Sequence, residues 1–177
     1  MKIGRGALAR VVEMMDPSSK QQVRPMTVDE AEQVAAWRYS GGWSIYNLES
    51  AQSLIVDLSN YYSIMFDGNL IGFCCIGEAA RVPGMTEEPA TLDLGVGMDP
   101  VQVGRGHGAA FGQVVLNFLS QTHLDKVLRA VVQSWNERSL QLTRRLGFED
   151  AGELNVVQGG RPVSYRVVIK HPHQARI

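Results

Sequence analysis

The stretch TLDLGVGMDPVQVGRGHGAAF, residues 91–111, decides the fold. Its first eight residues alternate between large apolar and small or polar side chains, which is typical of a β-strand with one buried face. Three glycines then stand at alternate positions, Gly104, Gly106 and Gly108, and the apolar residues after them have helical spacing. A strand, a glycine-rich turn and a helix in this order direct backbone N–H groups and the positive helix end toward an anion. The stretch therefore predicts a phosphate-binding loop.

Three kinds of phosphate ligand compete for this loop. A nucleoside triphosphate loop needs Gly-x-x-x-x-Gly-Lys followed by Ser or Thr, and no lysine or hydroxyl residue stands there. A dinucleotide fingerprint is formally present as Gly104-x-Gly106-x-x-Ala109. However, residues 99–103 separate the strand from the first glycine, and no acidic residue follows the next predicted strand to bind a ribose. The dinucleotide reading stays open as a remote alternative.

Acyl-coenzyme A is the third candidate, and the strand before the loop favours it. By period-two counting, Asp93, Gly95 and Gly97 share one face of this strand. We expect the two missing side chains to leave room for an extended ligand against the strand backbone. The pyrophosphate of the same ligand would then lie on the glycine loop.

The rest of the chain predicts a mixture of strands and helices. Thr27 and Glu30 form a capping box at the start of a helix, which is followed by a loop, YSGGWSIYNL (39–48). The stretch LESAQSLIVDLS (48–59) suits a second helix, and YYSIMF-DGN-LIGFCCIG (61–77) is a β-hairpin signal. After the loop come a helix, the strand KVLRAVVQ, a helix with Asn136 as N-cap, and two strands separated by Gly159-Gly160. The order predicts an α+β (mixed α/β) domain and not a doubly wound one.

Length and composition limit the classes of protein. The chain has 177 residues, 45% of them hydrophobic, and a formal net charge of −1. We expect one domain over 21–170, with an extension at 1–20 and a flexible tail at 171–177. The charge argues against nucleic-acid binding, and no apolar run is long enough to span a membrane. Adjacent Cys74 and Cys75 point to opposite faces of a strand, which favours a reduced, cytoplasmic protein.

The sequence MDPVQVGRGHGAAF resembles the coenzyme-A loop of the GNAT superfamily of N-acetyltransferases, whose pattern is Gln/Arg-x-x-Gly-x-Gly/Ala. Val103, Gly106 and Gly108 stand at the three marked positions. A second family landmark is similar to Asn136-x-x-Ser139 followed by Gly147-Phe148. The stretches around Trp37-x-Tyr39, LIGFCCIGEAARVPG and LDLGVGMDP further resemble a bacterial subgroup of these proteins.

The resemblance implies a mostly antiparallel twisted sheet of about six to seven strands with about four flanking helices. It also implies acetyl-CoA as acyl donor and an amine as acceptor, in a monomer or homodimer. Val103 stands where Gln or Arg is usual, but that position contributes mainly its backbone N–H. The residues expected to bind acetyl-CoA are Met98, Val103, Gly104, Arg105, Gly106, His107, Gly108, Ala109 and Asn136.

The reaction implied by the resemblance is direct attack of an amine on the acetyl thioester. Asp93 is the candidate general base, because it shares the expected ligand face; the alternative is a structural aspartate paired with a cation. Tyr39, Trp43 and Tyr46 are expected to line the acceptor site, or else to pack into the core. A free thiol has a pKa of roughly 8.5, so its thiolate can leave without a dedicated acid to protonate it. This matters because Thr143 stands where many family members have a proton-donating tyrosine.

Two further expectations concern an alternative to catalysis and the binding of metal ions. Since the family's tyrosine is missing at residue 143, a non-catalytic acyl-CoA-binding sensor is the alternative function. His171 and His173 lie in the tail, and no cluster of His, Cys, Asp or Glu has the spacing of metal ligands, so we expect no metal.

Overall fold

A computed structural model describes residues 21–172 of the chain. Its seven strands have the order β1-β2-β3-β4-β5-β7-β6 in a mixed sheet. The predicted α+β class and strand number are confirmed. The expected extension 1–20 and the part of the tail after residue 172 lie outside the described residues. The strands are β1 (Gln21–Pro25), β2 (Tyr61–Phe66), β3 (Asn69–Ile76), β4 (Thr91–Met98), β5 (Val127–Gln133), β6 (Glu149–Gln158) and β7 (Arg161–Lys170).

Four α-helices occur in residues 21–172, as many as expected. They are α1 (Val28–Ala35), α2 (Gln52–Ile55), α3 (Gly108–Thr122) and α4 (Glu137–Arg145). The stretch LESAQSLIVDLS forms only the single turn α2 and a short 3₁₀ turn at Leu58–Asn60, where a longer helix was predicted. Ala51 at the N-cap of α2 makes no side-chain capping bond, so nothing local extends this helix.

The described chain divides into two compact units whose boundaries fall inside β3, β4 and α3. The first unit comprises the residues up to Phe73 together with Gly97–Phe111. Within it, β1 pairs antiparallel with β2, from Gln21 opposite Phe66 to Pro25 opposite Tyr62. The turn between β2 and β3 has positive φ at both Asp67 (44°) and Gly68 (77°), which suits a tight hairpin. Its buried apolar residues include Ala31, Val34, Leu54, Ile64 and Phe111.

The start of α1 shows why this segment of the first unit is helical. The Thr27 side chain accepts from the Glu30 N–H, and the Glu30 carboxylate accepts from the Thr27 N–H, so the predicted capping box is present. Glu30 is also buried and accepts from Ser63 Oγ (2.8 Å) and from Arg24. Glu30, in the first turn of α1, is thereby bonded to Arg24 of β1 and to Ser63 of β2.

The second unit comprises Cys74–Val96 and the chain from Gly112 onward. Here β5 pairs antiparallel with β7, and β7 with β6, with a bulge at Gly152. β4 pairs parallel with β5 over three residues, Thr91–Asp93, and the helical crossover between the two strands is what a parallel pair requires. The apolar core of this unit includes Leu94, Val115, Leu119, Leu140, Phe148 and Val168.

Candidate active site

The glycine loop between β4 and α3 is exposed and unusual in its backbone. Gly104 (φ 77°) and Gly106 (φ 83°) lie in the left-handed region, while Gly108 begins α3. A Cβ on Gly106 would meet nothing within 4 Å. The glycine is therefore required by the backbone conformation and not by crowding.

The backbone N–H groups of this loop are the main hydrogen-bond donors of the candidate site. Within residues 21–172, none of the N–H groups of residues 104–108 donates a hydrogen bond, and the first α3-type bond runs from Phe111 N to His107 O. The first N–H groups of a helix have no intrahelical acceptor and attract anions. Arg105 is exposed beside them, and His107 and Ala109 are half-buried. The loop thus offers N–H donors and a cation at one place.

An orphaned acceptor lies in the same loop. The side-chain oxygen of Gln102 is buried without a hydrogen-bond partner among the described residues. A buried oxygen of this kind requires a donor to offset its lost hydration. Sequence reasoning missed Gln102, because only the folded loop shows that its oxygen is buried.

The two glycines of β4 make room for protein side chains. A Cβ on Gly97 would lie 2.3 Å from Cε1 of Phe73, and a Cβ on Gly95 would lie 2.8 Å from Sγ of Cys75. The expectation that this face leaves space for a ligand is therefore wrong. Phe73 and Cys75 of β3 occupy the space beside these glycines.

The end of β4 presents its backbone on both edges. Asp99 N–H donates to Ile71 O (3.0 Å), toward β3. Since successive peptide groups of a strand point to opposite edges, the N–H and C=O of Met98 point away from β3. The Met98 carbonyl accepts a hydrogen bond from the Tyr39 hydroxyl (2.7 Å). Met98 and Tyr39, both predicted from sequence, are thus brought together.

The other two aromatic residues predicted for the acceptor site lie in a 3₁₀ helix, Gly41–Tyr46, where a loop was expected. Trp43 is half-buried, and Tyr46 is 39% exposed with its ring at an edge-on angle to Tyr39 (centroids 6.5 Å apart). None of the residues of this helix is buried, so they are not core residues.

Asp93 lies in an ion network of the second unit. Its side chain is 2% exposed, and its two oxygens accept from Arg81 Nε (2.7 Å) and Arg129 Nε (2.6 Å). Arg129 also donates to Glu88 and to Thr86 O. The hydrogen bond to Asp93 is the main cause that raises the pKa of Arg129. A general base must reach the proton that it removes, and these contacts favour the structural alternative for Asp93.

The second landmark, around α4, has well-defined contacts of its own. Asn136 is buried and accepts from Ser139 N (3.2 Å), so it is the N-cap of α4, as predicted. Thr143 Oγ1 donates to Leu140 O (2.9 Å) and lines a cavity of about 280 Å³. Around it are Ser134, Leu140, Arg144, Phe148, Asp150, Arg166 and Val168.

The described residues contain neither a metal-type cluster of side chains nor a membrane-spanning helix. Among residues 21–172, no three His, Cys, Asp or Glu side chains are grouped as they would be around a metal ion. Across the same residues, every helix is too short or too polar to span a bilayer.

Comparison with known families decides the identity of the fold. The family described as "Acetyltransferase (GNAT) domain" matches residues 12–149, more than half of the chain. The chain belongs to the GNAT acetyltransferase family. A search of curated proteins finds no match to the sequence.

Solved structures share the fold of this GNAT acetyltransferase at low sequence identity. A GNAT-family acetyltransferase from Bacillus anthracis has a TM-score of 0.68 at 12% identity, covering 85% of this chain and 94% of its own. A ribosomal-protein-alanine N-acetyltransferase from Brucella melitensis has 0.63 at 19%, covering 85% and 99%. A protein from Salmonella typhimurium described as an acetyltransferase, with its cofactor acetyl-CoA, has 0.59 at 15%, covering 89% and 96%.

One further residue of this GNAT acetyltransferase escaped the sequence reasoning. Asn47 binds the backbone of Tyr39 twice, with its Oδ1 accepting from Tyr39 N (2.7 Å) and its Nδ2 donating to Tyr39 O (3.2 Å). The two residues are eight positions apart, on either side of the 3₁₀ helix Gly41–Tyr46. No periodicity relates them, so only the structure reveals the pair.

Proposed function

We propose that this chain transfers an acetyl group from acetyl-CoA to a primary amine. The observation that carries the proposal is the row of unsatisfied N–H groups at residues 104–108, directly before α3. Acetyl-CoA supplies both the anion for these donors and an acetyl group activated as a thioester. The family's name and the acetyl-CoA in the Salmonella relative support the same donor.

The residues of the loop fit the two ends of this donor. The pyrophosphate offers only acceptors, which match the N–H groups of residues 104–108 and the exposed Arg105 guanidinium. The Val103 N–H, predicted for this role, donates to Pro100 O (3.3 Å). The pantetheine arm offers amide N–H donors, which match the orphaned oxygen of Gln102. We propose that the backbone of Met98, at the edge of β4, binds the arm near the thioester. His107 belongs to the same loop and remains a proposed donor-site residue.

The chemical step is direct attack of the amine nitrogen on the thioester carbonyl carbon. A C–N bond forms, the C–S bond breaks, and the electron pair of that bond leaves with the sulfur as thiolate. The nitrogen releases one proton to water as it becomes the amide. A backbone N–H at the end of β4 would bind the carbonyl oxygen as it becomes negative. The conjugate acid of the thiolate has a pKa of roughly 8.5, so the thiolate can leave without being protonated by a general acid.

The attacking ammonium must first lose a proton. Asp93 is the base predicted from sequence, but both of its oxygens accept from arginines and it is almost fully buried. We therefore propose that water removes the proton and that Asp93 stabilises the fold around β4. Tyr39, Trp43 and Tyr46 remain the proposed acceptor-site residues, because Trp43 and Tyr46 belong to an accessible 3₁₀ helix and Tyr39 lies directly before it.

The acceptor class and the setting of the enzyme complete the proposal. The Brucella relative is named for acetylating an alanine of a ribosomal protein, which supports a protein N-terminus as one acceptor. A small amine is the other. Cys74 and Cys75 are both free thiols, in keeping with a bacterial cytoplasmic enzyme that acts as a monomer or homodimer.

A non-catalytic acyl-CoA sensor is the second candidate function. One observation favours it: the hydroxyl of Thr143 is engaged with Leu140 O and offers no proton to a leaving group. Turnover separates the two candidates, since a sensor binds acetyl-CoA without releasing thiol.

The test combines binding with thiol release. Calorimetry should detect acetyl-CoA binding, and a thiol reagent should detect coenzyme A release that depends on an added amine. A panel of alanine-initiated peptides and small amines provides the acceptors. Binding without release on every amine would favour the sensor, and failure to bind would overturn both candidates.

A further inference from the structure

The end of β4 is fixed from both sides by hydrogen bonds. The peptide group between Met98 and Asp99 donates through Asp99 N–H to Ile71 O (3.0 Å). The same peptide group accepts through Met98 C=O from the Tyr39 hydroxyl (2.7 Å). Fifty-nine residues separate Tyr39 from Met98, so this contact is a product of tertiary structure.

The edge that Tyr39 reaches is the one that an extended ligand needs. Strand β4 pairs with β5 over Thr91–Asp93, while Met98 lies at the far end of β4. The N–H of Met98 points to the same edge as its carbonyl, because both groups of one residue in a strand share an edge. A hydroxyl bonded to that carbonyl therefore stands beside the N–H group proposed to bind the donor.

Tyr39 is itself held in place. The Asn47 side chain binds both the N–H and the C=O of Tyr39, and the Tyr46 ring contacts the Tyr39 ring edge-on. Two hydrogen bonds from one amide to one residue fix its backbone within a segment that has little regular structure. The chain of contacts thus runs from Asn47 through Tyr39 to Met98.

We propose that Tyr39 is a positioning residue for acetyl transfer, which fixes the Met98 carbonyl and thereby the end of β4, and that Asn47 fixes Tyr39. This inference rests on the proposed function, since it assumes that the end of β4 binds the acyl thioester. It adds a role for one hydroxyl and for Asn47.

The state of the hydroxyl supports positioning and argues against proton transfer. Burial, with a smaller contribution from the Asp99 carboxylate, raises the pKa of Tyr39 to about 12. The phenol therefore keeps its proton at neutral pH and donates a hydrogen bond to the Met98 carbonyl. Donating that proton to a thiolate whose conjugate acid has a pKa of roughly 8.5 would be unfavourable.

The first measurement tests fixation without relying on activity. Hydrogen exchange of the full-length chain should show the Asp99 amide protected in the wild type, with exchange about tenfold faster in Tyr39→Phe. The matched control is Tyr165→Phe, which removes a hydrogen bond of the same type, from Tyr165 to Gln158 Oε1 (2.7 Å). It should leave the Asp99 amide unchanged. Equal protection in Tyr39→Phe and wild type would overturn the inference even if the enzyme is active.

The second measurement tests positioning. In Tyr39→Phe, kcat should fall about 10- to 100-fold with the KM for acetyl-CoA unchanged, because misplaced reacting groups lower the rate of the chemical step. Asn47→Ala should have a similar effect, and Asn47→Asp, which keeps the oxygen that accepts from Tyr39 N–H, should restore part of it. The double variant should be no worse than either single variant, since both act through one contact.

Other kinetic results would contradict the inference in distinct ways. A lower KM for acetyl-CoA in Tyr39→Phe would mean that Tyr39 blocks the strand edge, and an unchanged kcat would mean that it does nothing for the reaction. A wild type without turnover on any amine would overturn the proposed function. In that case the exchange result still decides whether Tyr39 fixes the end of β4.

Discussion

Strand β4 and the loop that follows it differ in whether their polar groups have hydrogen-bond partners. In the strand, Asp93 is 2% exposed and both of its carboxylate oxygens accept from arginines. In the loop, the backbone N–H groups of residues 104–108 donate to nothing in the described chain. A buried charge must be paired if the fold is to be stable. Donors near solvent can bond to water instead, so they stay available for a ligand. Polar groups that have hydrogen-bond partners within the chain indicate a structural role, and polar groups that lack such partners indicate a binding site.

The largest effect that this comparison predicts is on stability, at Asp93. Asp93→Ala should lower the free energy of unfolding by about 3–5 kcal/mol, because it leaves the Arg81 and Arg129 charges without their shared partner. Urea unfolding measures the change. Asp150→Asn is the control, since it removes an aspartate from an exposed pair with Arg166 and should change stability little. An Asp93→Asn variant that is fully stable but inactive would restore Asp93 as the general base.

The next effect is on donor binding, at Gly106. Gly106→Val should weaken acetyl-CoA binding by about 100-fold, since a β-branched residue does not tolerate a φ of 83° and the loop must rearrange. Calorimetry measures the affinity. Gly68→Val is the matched control, because Gly68 has a similar φ of 77° and also has open space around its Cβ. Equal loss of affinity in both variants would mean that general destabilisation is responsible.

A third prediction extends the comparison to a satisfied carboxylate in the first unit. Burial acts to raise the pKa of Glu30, but hydrogen bonds from Arg24, the Thr27 N–H and Ser63 lower it below 4.5. Glu30→Gln should therefore cost about 2 kcal/mol of unfolding free energy at pH 7.

The sign of the pH dependence follows from that lowered pKa. The folded state binds the proton of Glu30 less readily than the unfolded state, so the stabilisation is complete above pH 4.5 and is lost as the pH falls below it. The difference between wild type and Glu30→Gln should shrink between pH 6 and pH 3 in urea titrations. Glu32→Gln, an exposed glutamate of the same helix, should show no such trend. A difference independent of pH would assign the loss to packing.

The smallest predicted effect is at the exposed Arg105. Arg105→Ala should weaken acetyl-CoA binding about three- to tenfold at low salt, and less at high salt, because a solvent-exposed charge pair is screened. Arg161→Ala in the β6–β7 hairpin is the control and should leave the affinity unchanged. An effect that does not depend on salt would mean that Arg105 acts on the loop conformation.

Local chemistry explains which parts of the fold were predictable. The Thr27 capping box, the Asp67-Gly68 turn, the Gly159-Gly160 turn and the Asn136 N-cap each depend on residues a few positions apart. The α2 region was mispredicted because its apolar pattern suited a long helix while its start lacks a cap. Periodicity also assigned Gly95 and Gly97 to one face correctly. It could not show that Phe73 and Cys75 fill the space beside them.

The sequence by itself determined the order of elements, the glycine loop before α3 and the likeness to the GNAT family, because glycine spacing and alternation are properties of neighbouring residues. Only the tertiary structure decided that Asp93 is paired with Arg81 and Arg129 and that Tyr39 reaches Met98. These contacts join residues 12 to 59 positions apart. The role of a carboxylate or a hydroxyl is set by its partners in space, and no local pattern encodes them.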